Sequence, residues 1–319
     1  MKLFEKCKYI GAFIKHGIYF FDKQNNPCFE KDRIMGEILR NTHSIEKGLS
    51  LENIRNGFGM QKIAEARNLI NRYMMFENAS IIPVKMFVSA LNAYLNYHQT
   101  IGYEDDNVKN VRAIYDELSS KYTKSEEDYG GVLQLRKKEI TQEGLETIKE
   151  LFYERHSMRE FDGSAVDMHY LKEAIELAMH CPSACNRQGY RVHIVHKSAF
   201  DKLNHWMDGI GGFANDIDKL LIITANLSVY RLSEPYQHVV TSTVFASYLS
   251  LALQAYNIGC CFVQRNVTPN IKWSVISKQF NIPGNEEVVC CLGIGNLKKE
   301  YKVPRSYRLP YETIVSEIK

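Results

Sequence analysis

Two short polar segments carry residue types that chemistry needs. The first, Glu154–Phe161 (ERHSMREF), alternates Arg155, Ser157 and Arg159 behind a helical pattern. Two guanidinium forks with a hydroxyl between them can hold a phosphate or an electron-rich carbonyl. The second, His180–Tyr190 (HCPSACNRQGY), closes one helical pattern and leads into the strand-like run RVHIVH. Pro182 stops the helix. Ser183 and Ala184 leave room for something large and flat, and Asn186 and Gln188 offer amide donors and acceptors without charge.

The elements that must position these segments fall into two regions. Residues 31–122 read as helices: Ile34, Ile38 and Leu39, then Ile63, Ala66, Leu69 and Ile70, recur at helical spacing. Met86, Leu91 and Tyr94 suggest a further helix, and Val111, Ile114 and Leu118 another. The polar stretch Thr123–Gly131 reads as a linker or long loop. This places a helical region at 1–130 and a second region at 131–319. In the second, helical pattern runs from Gln142 to Tyr153, and Asp167 caps a helix reaching about His180. Short β-like runs follow at Arg191–His196, Leu220–Ala225, Cys260–Gln264 and Val288–Ile294, with a long helix at Val239–Tyr256. Strands and helices without a regular βαβ repeat predict an α+β fold.

Composition and absent motifs narrow the chemistry. The chain has 319 residues, 45% hydrophobic and 24% charged, which is ordinary globular usage. Forty basic side chains against 37 acidic ones give a net charge of +3, too little for a dedicated nucleic-acid binder. There is no phosphate-loop signature, no H-E-x-x-H and no G-x-S-x-G. Gly293-Ile294-Gly295 lacks the third glycine of a dinucleotide fingerprint. The eight cysteines include no C-x-x-C, and their spacing suggests no metal site. They read as reduced, buried thiols of a cytoplasmic protein, and the neighbours Cys260-Cys261 and Cys290-Cys291 should point to opposite faces of their strands. No export or membrane-spanning segment is evident, since Glu5, Lys6, Lys8 and Lys15 interrupt the first apolar stretch. Its aromatics and lysines fit either a helix packed on the body or one lying on a membrane surface.

Taken together, Arg155-His156-Ser157-Met158-Arg159-Glu160-Phe161 and Pro182-Ser183-Ala184-Cys185-Asn186-Arg187-Gln188 resemble the FMN-dependent nitroreductase family. That family carries R-R/H-S-x-R-x-F and, about 25 residues later, P-S-x-x-N-x-Q leading into a strand. A third match is the strand VVCCLGIG followed by Lys302, Arg305, Arg308, Leu309 and Pro310. The resemblance covers roughly 143–318. It implies a nitroreductase-like core, a mainly antiparallel sheet flanked by helices, preceded here by the helical region. It further implies a homodimer with FMN between protomers and Val239–Tyr256 as the dimer helix. Arg155 and Ser157 would contact the phosphate and ribityl chain, Arg159 the pyrimidine edge of the ring, and Asn186 with Gln188 the ribityl or ring carbonyls. Pro182 and Ser183 would belong to the turn against which the rings lie, and His156 is either structural or a flavin contact. Gly259 and Cys260 would lend backbone N–H groups toward flavin N5, with the Cys260 side chain either lining the pocket or filling the core, and Arg305 and Arg308 would close on the phosphate. The sequence departs from the family in having Gln188-Gly189-Tyr190 where Q-P-W is common, and His156 where a second arginine is common.

The function this implies is ping-pong hydride transfer from NAD(P)H through FMN to an oxidised small molecule such as a nitro compound, quinone or enone. No protein acid or base is required, because the cofactor carries the chemistry. Two alternatives stand beside it: the same fold running a different flavin reaction, and a non-enzymatic binding or assembly protein on a degenerate flavin fold. Thr42–Ser50, with His43, Glu46 and Lys47, is either a helix surface or a cover for the flavin. Asp208–Gly212 is either a turn or a flank of the active site.

Overall fold

The computed structural model describes residues 3–122, 128–202, 212–264 and 273–318. Five helices come first: α1 (Leu3–Asn25), α2 (Glu30–Leu49), α3 (Met60–Tyr73), α4 (Ile82–Thr100) and α5 (Asp106–Tyr122). α2 to α5 form one bundle. Ile34, Ile38 and Ile45 of α2 pack with Ile63 and Ile70 of α3, Phe87 and Leu91 of α4, and Val111 and Leu118 of α5. The 3.6-residue apolar period puts these side chains on one face of each helix. The helical reading of this region is therefore borne out. The turn after it is partly tied down: Tyr129 N–H donates to Ser89 Oγ (3.1 Å) and Gly131 N–H to Glu46 Oε1 (3.1 Å). Residues 123–127 lie outside the described residues, as does most of the Asp208–Gly212 loop.

α1 presents two different faces. Ala12, Phe20 and Gln24 are buried against the body, while Ile10, Phe13, Ile14, Ile18 and Phe21 are exposed. Packing against the body thus uses one stripe and leaves a second apolar stripe in solvent.

The remaining elements are α6 (Gln142–Glu154), α7 (Met168–Ala178), β1 (Tyr190–His196), β2 (Lys219–Asn226), α8 (Gln237–Ala255), β3 (Ile258–Gln264), α9 (Trp273–Gln279), β4 (Glu286–Asn296) and α10 (Tyr311–Ile314). Asp167 caps α7 as expected, its Oδ1 accepting from His169 N–H at 2.8 Å. The strands form one antiparallel sheet in the order β1-β2-β4-β3. β2 is buried throughout, as a central strand with both faces covered should be. The α+β architecture, helices followed by an antiparallel sheet flanked by helices, agrees with the sequence expectation.

Two apolar layers sandwich the sheet. Tyr190, Leu221, Ile223, Cys260, Cys290 and Leu292 face α7 and α8. Ile222, Cys261, Val263 and Cys291 face the other layer, with Met158 and Phe161. Both cysteine pairs therefore split between faces, as strand alternation requires. Burial of all eight thiols is corrected: Cys7, on α1, and Cys28, just after it, are exposed, and Cys185, in the turn before β1, is half-buried. Gly293 and Gly295 serve packing. A Cβ at Gly295 would stand 2.5 Å from the Phe161 ring, and one at Gly293 would stand 2.7 Å from Ile217.

A bulge interrupts the β2–β4 pairing, where Ile223 faces Cys290 but Thr224 faces Val288. One extra residue inverts the alternation beyond it. Cys290 and Glu287, three apart, thereby share the α8 face.

Candidate functional site

The first polar segment is laid down as a strip along β3. α6 ends at Glu154, and Arg155 leaves it in extended conformation (φ −67°, ψ 106°). Ser157 then forms a parallel bridge with Cys260, and Met158 N–H donates to the Cys260 carbonyl at 2.9 Å. Met158 and Phe161 plug into the core below, which fixes the strip's register. This leaves Ser157 and Arg155 half-buried and Arg159 exposed. The Arg159 guanidinium lies over the Phe213 ring at 5.9 Å and donates to the Ser157 carbonyl at 3.3 Å. Among the described residues, no carboxylate pairs with Arg155 or Arg159.

The strip thus brings Arg155, His156, Ser157 and Arg159 together with Gly259 and Cys260. The space beside Gly259 is taken by protein: a Cβ there would stand 2.6 Å from Leu297 and 3.1 Å from Met158. Burial pushes the Cys260 thiol up to about 12, with the nearby Arg155 charge offsetting part of it. Burial likewise raises Cys261, against the Arg159 charge and a hydrogen bond with Ser157. A thiol held so far above neutrality is not a nucleophile. These cysteines are floor, not reagents.

The second segment is a tight turn. Ser183 Oγ accepts from Gln188 N–H at 3.2 Å, the Ser183 carbonyl accepts from Asn186 N–H at 3.0 Å, and Gln188 Nε2 donates to Asn186 Oδ1 at 3.2 Å. Cys185, Asn186 and Gln188 all have left-handed φ, near 50°. Such backbone persists only where surroundings over-determine it. The determinant is Arg187, whose side chain is fully buried and forks onto Glu234 through bonds of 2.7 and 2.8 Å. It also donates to the carbonyls of Ala184 (3.0 Å) and Val229 (3.1 Å) and lies 4.9 Å over the Tyr230 ring. With Arg187 anchored inward, Asn186 and Gln188 stand half-buried on either side, Pro182 is exposed, and α2 packs against the turn.

In the P-S-x-x-N-x-Q pattern Arg187 occupies an unspecified position. The available signal was one arginine in an otherwise uncharged turn. Its partner, 47 residues on, has no local signature.

The strip and the turn do not meet within one chain. Cys260 aligns through Ile294 and Lys219 with His196, the far end of β1 from Tyr190. Three strand spacings of ~4.8 Å and six residues of ~3.3 Å separate the two motifs by about 24 Å. Arg305 and Arg308 lie on the exposed segment after β4, hydrogen-bonded or ion-paired to neither motif, and Arg308 donates to the Ser306 carbonyl. A hollow of about 290 Å³ opens near Tyr170, Tyr256, Asn257 and Asn296. None of the sequence-predicted site residues lines it. Among the described residues, no helix is long and apolar enough to cross a membrane.

Residues 153–208 match the model of the Nitroreductase family, so the resemblance read from the sequence is borne out over the segment holding both motifs. No curated protein matches the chain. Among solved structures, an FMN-dependent nitroreductase of Clostridium difficile R20291 is similar at 20% identity and a TM-score of 0.46, over 54% of this chain and 99% of that one. A nitroreductase family protein of Streptococcus pneumoniae TIGR4 gives 20%, 0.46, 54% and 100% in the same terms. A nitroreductase-like protein of Streptococcus mutans gives 15%, 0.48, 55% and 100%.

Proposed function

We propose that this protein is an FMN-dependent oxidoreductase of the nitroreductase type. It would act as a homodimer and move hydride from NAD(P)H to an oxidised small molecule such as a nitro compound, quinone or enone. The observation that carries the reading is the strip at β3. Two arginines without an acidic partner among the described residues flank a hydroxyl, above a floor of neutral thiols, within the segment that matches the family. That donor set fits an anionic mononucleotide. When bound, FMN would supply the hydride relay itself.

The chain's own residues would do the rest. Arg155 and Ser157 would bind the phosphate and ribityl chain. Arg159 would place a cation at the pyrimidine edge of the ring, where it stabilises the negative charge of the reduced cofactor. Asn186 and Gln188 would orient the ring through their amides. Arg305 and Arg308, on their exposed arm, would close over the phosphate.

The distance between strip and turn supports a shared site. One mononucleotide touching both needs the turn of a second copy. Exposed apolar side chains agree. Leu133, Leu135 and Ile140 precede α6; Ile148 and Phe152 lie on it; Tyr307, Leu309 and Ile314 follow β4, all in solvent. Surfaces this apolar mark an interface. We also place the boundary between the helical region and the flavin domain at residue 130.

The test is extraction of cofactor from the purified full chain. FMN is expected by mass, with bleaching of the yellow colour by NADH or NADPH without oxygen. Arg155→Ala and Asn186→Ala should each lower flavin occupancy at unchanged helix content. A colourless protein that gains no thermal stability from added FMN would overturn the reading.

A further inference from the structure

A second constellation lies away from the strip, where α1 crosses the end of the sheet. His16 continues the buried stripe of α1 formed by Ala12, Phe20 and Gln24. His238 sits in the first turn of α8, buried and stacked on Phe20 at 5.2 Å. Glu287 reaches the same point from β4, because the bulge turns its side chain to the α8 face. His16 Nε2 stands 2.9 Å from both Glu287 oxygens, and His238 Nε2 stands 3.5 Å from Oε2. One ligand atom from each residue lies within 4.8 Å of the other two.

We propose that His16, His238 and Glu287 bind a divalent transition-metal ion of the zinc class. Two imidazoles and one carboxylate are a ligand set such ions favour, with a fourth position left for water. At metal–ligand distances of ~2.0–2.1 Å, tetrahedral ligand atoms lie about 3.4 Å apart. The 3.5 Å gap already matches, and the 2.9 Å contact needs only a small opening.

Burial supplies an independent argument. The side chains of His238 and Glu287 are only 2% and 6% exposed, and among the described residues neither nitrogen of His238 has a hydrogen-bond partner, its Nε2 facing Glu287 Oε2 only at 3.5 Å. Buried polar groups are nearly always hydrogen-bonded, and an exception asks for a missing partner. A dication answers it, engaging the His238 imidazole beside the Glu287 carboxylate. His16, 29% exposed, leaves a path for entry. The ion would clasp α1, α8 and β4 together. The three ligands are 222 and 49 residues apart and belong to three elements, so no linear spacing announces them.

The experiment uses the full chain, purified without a metal-affinity tag, stripped with chelator and titrated with Co²⁺ and Zn²⁺. One Co²⁺ per chain is expected, with ligand-field absorption and a rise in melting temperature. His16→Ala, at the exposed edge of the site, should weaken binding about 100-fold or more with helix content retained. X-ray absorption of the wild-type Zn²⁺ form should show a nitrogen and oxygen shell containing two imidazoles. Absence of stoichiometric uptake would overturn the proposal. So would unaltered affinity in His16→Ala, or a sulfur shell near ~2.3 Å, which would assign the ion to cysteines.

Discussion

Replacing Glu234 by glutamine tests whether the Arg187 anchor holds the turn. The substitution keeps the shape and one acceptor but removes the charge facing a guanidinium with no exposed surface. Breaking a fully buried ion pair costs ~3–5 kcal/mol. Here the Glu234 side chain is 26% exposed, and Arg187 keeps its bonds to the Ala184 and Val229 carbonyls. The expected loss is therefore about 2 kcal/mol, below that range. With an unfolding entropy of ~2.1 cal/mol/K per residue, this lowers Tm by about 3 °C. The pH dependence adds a signature. The hydrogen bond from Arg187, opposed by burial, holds the Glu234 carboxyl below its ordinary value of 4.5. A depressed folded value means the stabilisation is complete above about 4.5 and disappears as pH falls through the lower folded value. Glu234→Gln has no such titration, so the gap seen at neutral pH should close in acid. Calorimetry at neutral and acid pH reads both. Equal stability at neutral pH, or a gap that persists unchanged in acid, would refute the reasoning.

Two further outcomes follow from the geometry. If strip and turn meet only across two copies, mixed dimers of Arg155→Ala and Asn186→Ala contain one doubly altered site and one intact site. Co-expressed chains, half of whose dimers are mixed when assortment is random, should then regain about a quarter of the flavin sites, whereas sites within one chain would regain none. Maleimide at mildly alkaline pH should label Cys7 and Cys28 quickly and Cys185 more slowly, while Cys260, Cys290 and Cys291, raised by burial, stay unmodified. Rapid labelling of any of these three, read by mass, would show the sheet to be open.

The parts legible in the sequence are those set by local pattern. Alternation placed Cys260 and Cys261 on opposite faces, Asp167 announced its helix, and the four β-like runs lie within the four strands. What escaped depends on distant partners or on a single inserted residue. Nothing near Val288 signals the bulge that re-aims Glu287. Nothing in the motif reveals that Arg187 turns inward to Glu234. Gly293-Ile294-Gly295, which lacks the third glycine of a dinucleotide fingerprint, owes its glycines to the side chains of Ile217 and Phe161 packed against them. α6 follows the helical pattern read at Gln142–Tyr153, yet none of its residues is buried: it touches α8 while Ile148 and Phe152 stay in solvent.

The docking of α1 constrains how the chain emerges from the ribosome. His16 bonds a residue 271 positions later, and Tyr19 reaches the carbonyls of Gly284 and Glu286. At ~5–20 residues per second, the first helix waits about 15–55 s for the strand that receives it. Both of its greasy sides are bare during that interval, although the bundle behind it can already have folded. The nascent protein therefore carries this sticky helix while the next 271 residues are made, and chaperone demand should concentrate there.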